Sequence, residues 1–215
     1  MLSIDMIKVL AIIGSGHLGQ QIAYYAISDG HFDKVVFFDD YNTDSYIKGH
    51  KILGTTCNVL NEYKKGNFTD LIIGIGYKHM LKRKLFFEKF KNIIPFASII
   101  HSSCWVDKTA IIEEGCVIYP GCIIEPNVLI KSNTILNISC SIAHDSIIGS
   151  HSFFSPRVAI AGFVKSNECC IFGINSLVID NINITDNVQL GAGTVVISNV
   201  DKKGLYVGNP HRYIR

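Results

Sequence analysis

Long apolar runs are scarce in this 215-residue chain. The longest early one, Val9 to Ile13, is five residues and ends in a glycine-rich turn. It is too short for a signal-peptide core or a membrane span, so a cytoplasmic protein without a membrane partner is expected. Charge of one sign is lacking too: 20 basic against 18 acidic residues leave a net +2. The basic residues that cluster, Lys82, Arg83 and Lys84, alternate with apolar Leu81, Leu85 and Phe86, as on a solvated helix face. No nucleic-acid partner is expected from this pattern. The seven cysteines include no Cys-x-x-Cys pair. No two histidines share a metal-binding spacing with a carboxylate, and no metal is expected.

Periodicity, by contrast, is abundant. Stepping by six from Ile100 through Val106, Ile112 and onward to Val196 visits 17 positions, of which 16 are large and apolar; Ser166 is the exception. Four places after each ruler position the residues are mostly small or β-branched, and five of the seven cysteines stand there: Cys104, Cys116, Cys122, Cys140 and Cys170. Free cysteine packs as a small hydrophobe, so these are expected to be structural. Pro120, Pro126 and Pro156 stand two places after a ruler position, and Gly or Asn often follows at the third place, as at Gly121, Asn127 and Asn175. Pro-Gly and Pro-Asn are the central pair of a type II turn, whose second residue needs φ > 0. Each hexapeptide is therefore a short strand plus a corner. Such units cannot bury their faces alone and stack into a solenoid.

The first hundred residues lack this ruler. "IKVLAII", "KVVFFDD" and "DLIIGIG" read as strands, and "QQIAYYAIS" and "HMLKRKLFFEKF" as helices. The alternation predicts a small parallel sheet of Rossmann-like order. Gly14, Gly16 and Gly19 satisfy G-x-G-x-x-G after a strand, with Asp39 and Asp40 where a ribose-binding acid is expected. The plain alternative is that the glycines only permit a tight turn. Fewer than 100 residues leave no room for a hydride-acceptor domain, which argues against a dinucleotide-dependent reductase. Half a Rossmann fold suits a mononucleotide, whose phosphate a helix amino terminus can bind.

The hexapeptide grid resembles the left-handed parallel β-helix of hexapeptide-repeat acyltransferases, in which three hexads make one triangular coil. With "GSGHLG", "FFDD" and the closing "YVGNPHRYI", the chain resembles bacterial sugar acetyltransferases. That group includes sialic-acid O-acetyltransferases and nucleotide-linked 4-amino-4,6-dideoxysugar N-acetyltransferases. The resemblance implies an α/β plus all-β chain: a Rossmann-like nucleotide-sugar domain over 1–97, a left-handed β-helix binding acetyl-CoA over 98–200, and a tail over 201–215. It further implies a homotrimer with coenzyme sites between subunits and a place in surface glycan synthesis such as lipopolysaccharide O-antigen. Substrate is expected at Ser15, Gly16, His17, Asp39, Asp40 and Gly76. "FGINS" and "LGAGT" match coenzyme-contacting coils, pointing to Gly173, Ile174, Gly191 and Ala192.

Within "SIAHDSIIG", His144 stands two places after ruler residue Ile142, at a corner, and Asp145 stands in the third-place column. The plain readings are an exposed polar corner and a turn residue. The segment also matches the family's catalytic H-[DE] pair. That implies His144 as general base, Asp145 raising its basicity, and the Gly162 N–H serving the acetyl carbonyl. Imidazole, with an ordinary pKa of about 6.5, is suited to accept a proton near neutral pH. The third-place column also loses its Gly or Asn at His151, Arg157, Phe163 and Cys169, beginning one hexad after the pair. A second family histidine is replaced by Phe153, two residues from His151. N-acetylation of a nucleotide-linked 4-amino-4,6-dideoxyhexose is the expected activity. O-acetylation of a sialic-acid-type sugar is the enzyme alternative, and a non-catalytic nucleotide-sugar-binding scaffold the alternative from another class.

Overall fold

The computed structural model describes residues 7–215, and the chain divides into two compact units, Met1–Ile99 and Ile100–Arg215. The first six residues of the expected 1–97 domain lie outside the described residues.

The first unit runs β1 (Val9–Ile13), α1 (His17–Ser28), β2 (Lys34–Phe38), β3 (Tyr46–Ile47), β4 (His50–Gly54), α2 (Val59–Lys64), β5 (Asp70–Ile73) and α3 (Met80–Phe90). Its sheet has the order β3-β4-β2-β1-β5, parallel except for the short edge strand β3. The central strand β1 reads as an unbroken apolar run because a parallel sheet is covered on both faces; Leu10, Ala11 and Ile12 are wholly buried. Helix α1 buries Gly19, Ile22, Ala23 and Ala26, the spacing of one helical face. The chain leaves β1 toward β2 on one side and returns to β5 on the other. The carboxyl ends of β1 and β5 thus form a topological switch point, where open α/β sheets bind ligands.

In the second unit each hexad strand up to Leu177–Val178 pairs in parallel with the strand 18 residues on, as Ile124 beside Ile142, Ile142 beside Ile160 and Ile160 beside Val178. Three hexads therefore make one coil, and the strands sort into three sheets around one core. The ruler residues Ile118, Ile124, Ile130, Leu136, Ile142, Ile148 and Phe154 are all buried. Ser166 is buried as well, and the Gly149 N–H donates to its hydroxyl at 3.3 Å. Its polarity therefore has a partner in the neighbouring coil.

The small-residue column also has a hydrogen-bonding pattern. Cys122 donates to the Asn137 carbonyl at 3.1 Å, Cys140 to Ser155 at 3.3 Å, Thr134 to Gly149 at 3.2 Å and Ser146 to Ala161 at 2.9 Å. Each bond reaches 15 residues on. Cys, Ser and Thr interchange here because each is small and carries one donor for a buried corner carbonyl. Burial pushes the Cys170 thiol up to about 12. A disulfide reagent attacks thiolate, so exposed Cys57 is expected to react first in native protein. Half-buried Cys104 should follow slowly, and Cys116, Cys122, Cys140, Cys169 and Cys170 only in denaturant. Timed release of the reagent's chromophore checks this. Prompt reaction of more than two thiols would mean the coils open.

The third-place residues from Gly115 to Gly193 are 14 consecutive corners with φ between 56° and 75°. His151, Arg157, Phe163 and Cys169 share this left-handed conformation. The sequence irregularity is therefore not a change of path. The same corner is held by side chains that resist it, at roughly 1–2 kcal/mol each.

Residues 201–215 contribute two strands to the largest sheet: Gly204–Val207 lies parallel to Val188–Leu190, and Arg212–Tyr213 is antiparallel to it. They close the solenoid's last coil, as terminal units of repeat folds do. Among the described residues no helix is long and apolar enough to cross a membrane.

Candidate active site

Residues 18 apart stack along one edge of the β-helix. Pro126, His144, Gly162 and Asp180 occupy its second place, and Asn127, Asp145, Phe163 and Asn181 its third. His144 Nδ1 lies 2.9 Å from Asp145 Oδ2. Asp145 Oδ1 accepts from Asn127 Nδ2 at 3.1 Å, and Glu125 accepts the His144 backbone N–H at 3.0 Å. The hydrogen bond from His144, then that from Asn127, holds the Asp145 carboxyl below its usual range. An ionised carboxylate only accepts, so it selects the tautomer with the proton on Nδ1 and leaves Nε2 bare. That is the form a general base requires. The His144 side chain is 49% exposed, within reach of a ligand, and its ring meets Phe163 edge-on at 5.1 Å between centroids.

Gly162 is fixed by this histidine. A Cβ there would lie 2.8 Å from His144 Cε1 and 2.9 Å from Nε2. Its N–H has no acceptor among the described residues. The second-place amide tends to face outward: it is a proline at 120, 126 and 156, and at Ser132 and His144 it donates to Glu113 and Glu125 of the preceding coil. At Gly162 no such carboxylate answers it. A bare donor thus stands beside the bare Nε2.

The residues expected at the coenzyme are placed elsewhere. Ile174 and Ala192 are exposed and stack 18 residues apart, but on the edge that follows the Ile171–Phe172 strand, in a different sheet from the strands beside His144. Gly173 is there because a Cβ would lie 2.5 Å from the Gly191 carbonyl carbon, and Gly191 because one would lie 2.9 Å from Val207. One chain does not bring these four residues to His144. His151 is buried, with Nδ1 2.9 Å from Asn133 Nδ2.

In the first unit the three turns of the switch point touch. Gly14 has φ +100°; a Cβ on Gly19 would lie 2.0 Å from the Gly14 carbonyl oxygen, and one on Gly74 2.8 Å from Gly19 Cα. These glycines serve the fold. Gly16 does not: nothing lies within 4 Å of its would-be Cβ, and it opens α1 with no side-chain cap. Gly76 is near it, its would-be Cβ 3.9 Å from Leu18 of α1. Ser15 is buried, and its N–H and hydroxyl donate to Asp39 Oδ2 at 2.7 and 2.8 Å. Asp39 Oδ1 takes the Tyr41 and Asn42 amides. Burial alone would raise this carboxyl, but the Ser15, Tyr41 and Asn42 donations outweigh it and hold it low. Asp40 accepts the Thr56 N–H and hydroxyl at 2.8 and 2.9 Å. The two carboxylates expected to face a ribose are thus engaged in clamping their own loops. His17 lines a cleft of about 650 Å³ between α1 and the β3–β4 hairpin, with Gln20, Tyr24, Lys48 and His50.

Glu125, Asn127 and the His144 contact of Phe163 escaped the reading of the sequence. Their signal is an offset of 18 or 19 residues from His144 and Asp145, one coil of three hexads. Among the described residues no cluster of three or more His, Cys, Asp or Glu could hold a metal ion.

Residues 9–90 match the PglD N-terminal domain. The acetyltransferase domain of PglB from Neisseria gonorrhoeae, solved with acetyl coenzyme A, is 24% identical and superposes with a TM-score of 0.90 over 97% of this chain and 100% of that one. PerB from Caulobacter crescentus, solved with CoA and GDP-perosamine, is 23% identical with a TM-score of 0.88 over 98% and 99%. WeeI from Acinetobacter baumannii is 20% identical with a TM-score of 0.85 over 96% and 100%. The fold is therefore that of these proteins, a small α/β domain followed by a left-handed parallel β-helix. A UDP-3-O-acylglucosamine N-acyltransferase from Bordetella pertussis is 37% identical over 67 residues, 31% of this chain. The match spans only 18% of that curated relative's length.

Proposed function

From a chain that joins a PglD N-terminal domain to a left-handed β-helix, we propose an acetyl-CoA-dependent N-acetyltransferase. Its acceptor is a nucleotide-linked 4-amino-4,6-dideoxyhexose destined for surface glycan such as O-antigen. The observation that carries the reading is the His144–Asp145 pair with the unpartnered Gly162 N–H beside its Nε2. The fold neighbour solved with CoA and a nucleotide-linked amino sugar supports it.

The sugar amine attacks the thioester carbonyl carbon while His144 Nε2 takes its proton. Negative charge growing on the carbonyl oxygen meets the Gly162 N–H, a fixed donor that needs no reorganisation. The C–S bond then breaks, and the leaving thiolate takes the proton from His144, giving acetamide and free coenzyme. Asp145 holds the imidazole in the basic tautomer before transfer and balances its charge after it. The exposed edge of Ile174 and Ala192, made smooth by Gly173 and Gly191, is the coenzyme's place.

That edge and the His144 edge belong to one site only if copies pack side by side, as in the homotrimer that the family resemblance implies. One sheet turns outward Trp105, Ile123 and Leu177, exposed large apolar residues at intervals of 18 and 54 positions, and so supplies a surface to cover. Sedimentation at micromolar concentration should give three times the chain mass; a monomer would overturn this part.

Acetyl-CoA with a panel of UDP-, dTDP- and GDP-linked amino sugars should release free thiol and yield an amide by mass spectrometry. Thiol release only with hydroxyl acceptors would favour sialic-acid-type O-acetylation instead.

The first unit holds the nucleotide, its phosphates at the uncapped amino terminus of α1 beside Ser15, Gly16, His17 and Gly76. Since Gly16 faces open space, Gly16→Val should leave the melting temperature unchanged. It should raise KM for the nucleotide sugar about tenfold, one lost close contact, and leave KM for acetyl-CoA alone. Equal changes in both constants would mean the first unit is not a separate substrate site.

A further inference from the structure

Phe163 is out of place by the rules of its own column. The third-place positions on its edge run Asn127, Asp145, Phe163 and Asn181, all with φ between 59° and 61°. Asn and Asp enter this conformation through local hydrogen bonds; a bulky aromatic does not. Nor does burial offset the strain, because the Phe163 side chain remains 49% exposed. An exposed aromatic held in a disfavoured conformation points to a task other than stability.

Its surroundings suggest the task. Its backbone N–H donates to the His144 carbonyl at 3.1 Å, which fixes the corner above the catalytic pair. Its ring meets the imidazole edge-on at 5.1 Å and 87°. An asparagine at 163, the residue this column carries at 127 and 181, would set a second amide over Asp145, as Asn127 already does from below. It would compete with His144 Nδ1 for the carboxylate. Phenylalanine cannot, so Asp145 Oδ2 stays with the histidine. At the same time the ring presents apolar surface next to the point where an acceptor gives up its proton.

We infer that Phe163 is a specificity-determining residue: it selects an acceptor sugar in which the ring carbon next to the amine-bearing carbon carries a methyl group rather than a hydroxymethyl group. The inference rests on the N-acetyltransferase reading of this site. An amine hydrogen-bonded to Nε2 brings its neighbouring carbons alongside the Phe163 ring. There a 6-deoxy methyl group is buried against the aromatic face, whereas a 6-hydroxyl would lose water without gaining a partner. Discrimination of this kind, one small group against an apolar wall, is worth on the order of 10- to 100-fold.

The test compares wild type with Phe163→Asn and Phe163→Leu on two acceptors that share nucleotide and stereochemistry, a 4-amino-4,6-dideoxyhexose and its 6-hydroxy counterpart. Wild type should favour the deoxy sugar in kcat/KM by at least about tenfold. Phe163→Asn should bring that ratio toward one, Phe163→Leu should keep part of it, and neither should change KM for acetyl-CoA. Phe163→Asn should also melt no lower than wild type, since it relieves the corner. An unchanged ratio in Phe163→Asn would overturn the inference. So would a rise in KM for acetyl-CoA alone, which would make the ring a coenzyme wall. Wild type inactive on every amino sugar would overturn the N-acetyltransferase reading itself, and Phe163's role with it, a result distinguishable from an unchanged ratio.

Discussion

His144→Ala is expected to cut turnover by roughly 10²- to 10⁴-fold, the usual worth of a positioned general base. KM for both substrates should change little, because the imidazole acts on the proton and not on ground-state binding. Stability should stay within ~0.5 kcal/mol of wild type, as for a substitution at a half-exposed corner. Raising the pH should restore part of the rate if the acceptor is an amine, since the free amine then forms unaided; a hydroxyl acceptor gains nothing comparable. Asp145→Asn should cost less than loss of the base. The carboxylate accepts from His144 on one oxygen and from Asn127 on the other. An amide has one acceptor where two are needed, so some molecules keep the basic tautomer and others lose it. Rates and pH profiles of the two variants, measured on one acceptor, check all of this. Full turnover in His144→Ala would mean that the pair is only a turn.

What the sequence disclosed about this site depended on whether a contact follows the chain or crosses it. The ruler from Ile100 to Val196 marks the inward column because burial repeats every six residues; from Ile118 on those residues are buried, and Ile100, Val106 and Ile112 are partly so. His144 stands out because it interrupts a column of corner residues. Asn127 and Glu125 do not stand out, since a corner Asn and a strand-flanking Glu are ordinary residues that gain meaning only from standing one coil, 18 or 19 residues, before the pair. The cysteines are legible as small residues, but not as donors to carbonyls 15 residues on, which requires the spacing between coils. Asp39 and Asp40 are a similar case. The spacing after the glycine turn marks the two carboxylates, and the bonds they accept from Ser15 and Thr56, distant in sequence, are visible only in the fold. Glycines divide in the same way: Gly19 and Gly74 are demanded by neighbouring backbone, and Gly16 by nothing within the protein.

The same steric accounting makes Gly162 the most sensitive backbone position in the site. Its φ is not in the left-handed region, so alanine carries no conformational strain there. The added methyl would nonetheless sit 2.8 Å from His144 Cε1 and 2.9 Å from Nε2, well inside van der Waals contact. The imidazole must yield, yet Asp145 holds Nδ1 and Phe163 lies against the ring. A displacement of that order in a reacting group costs about 10²-fold, and the methyl also occupies the approach to Nε2. Gly162→Ala is therefore expected to lower kcat by about two orders of magnitude, with the melting temperature and KM for acetyl-CoA near their wild-type values. Because alanine keeps the N–H, the oxyanion donor survives and the loss should act through His144 alone. The double variant His144→Ala/Gly162→Ala should then be no slower than His144→Ala, the non-additivity expected of residues that work as a unit. A further drop in the double variant would show that the 162 corner contributes to the transition state independently of the histidine, and a wild-type rate in Gly162→Ala would show that the ring is not held where the reaction needs it.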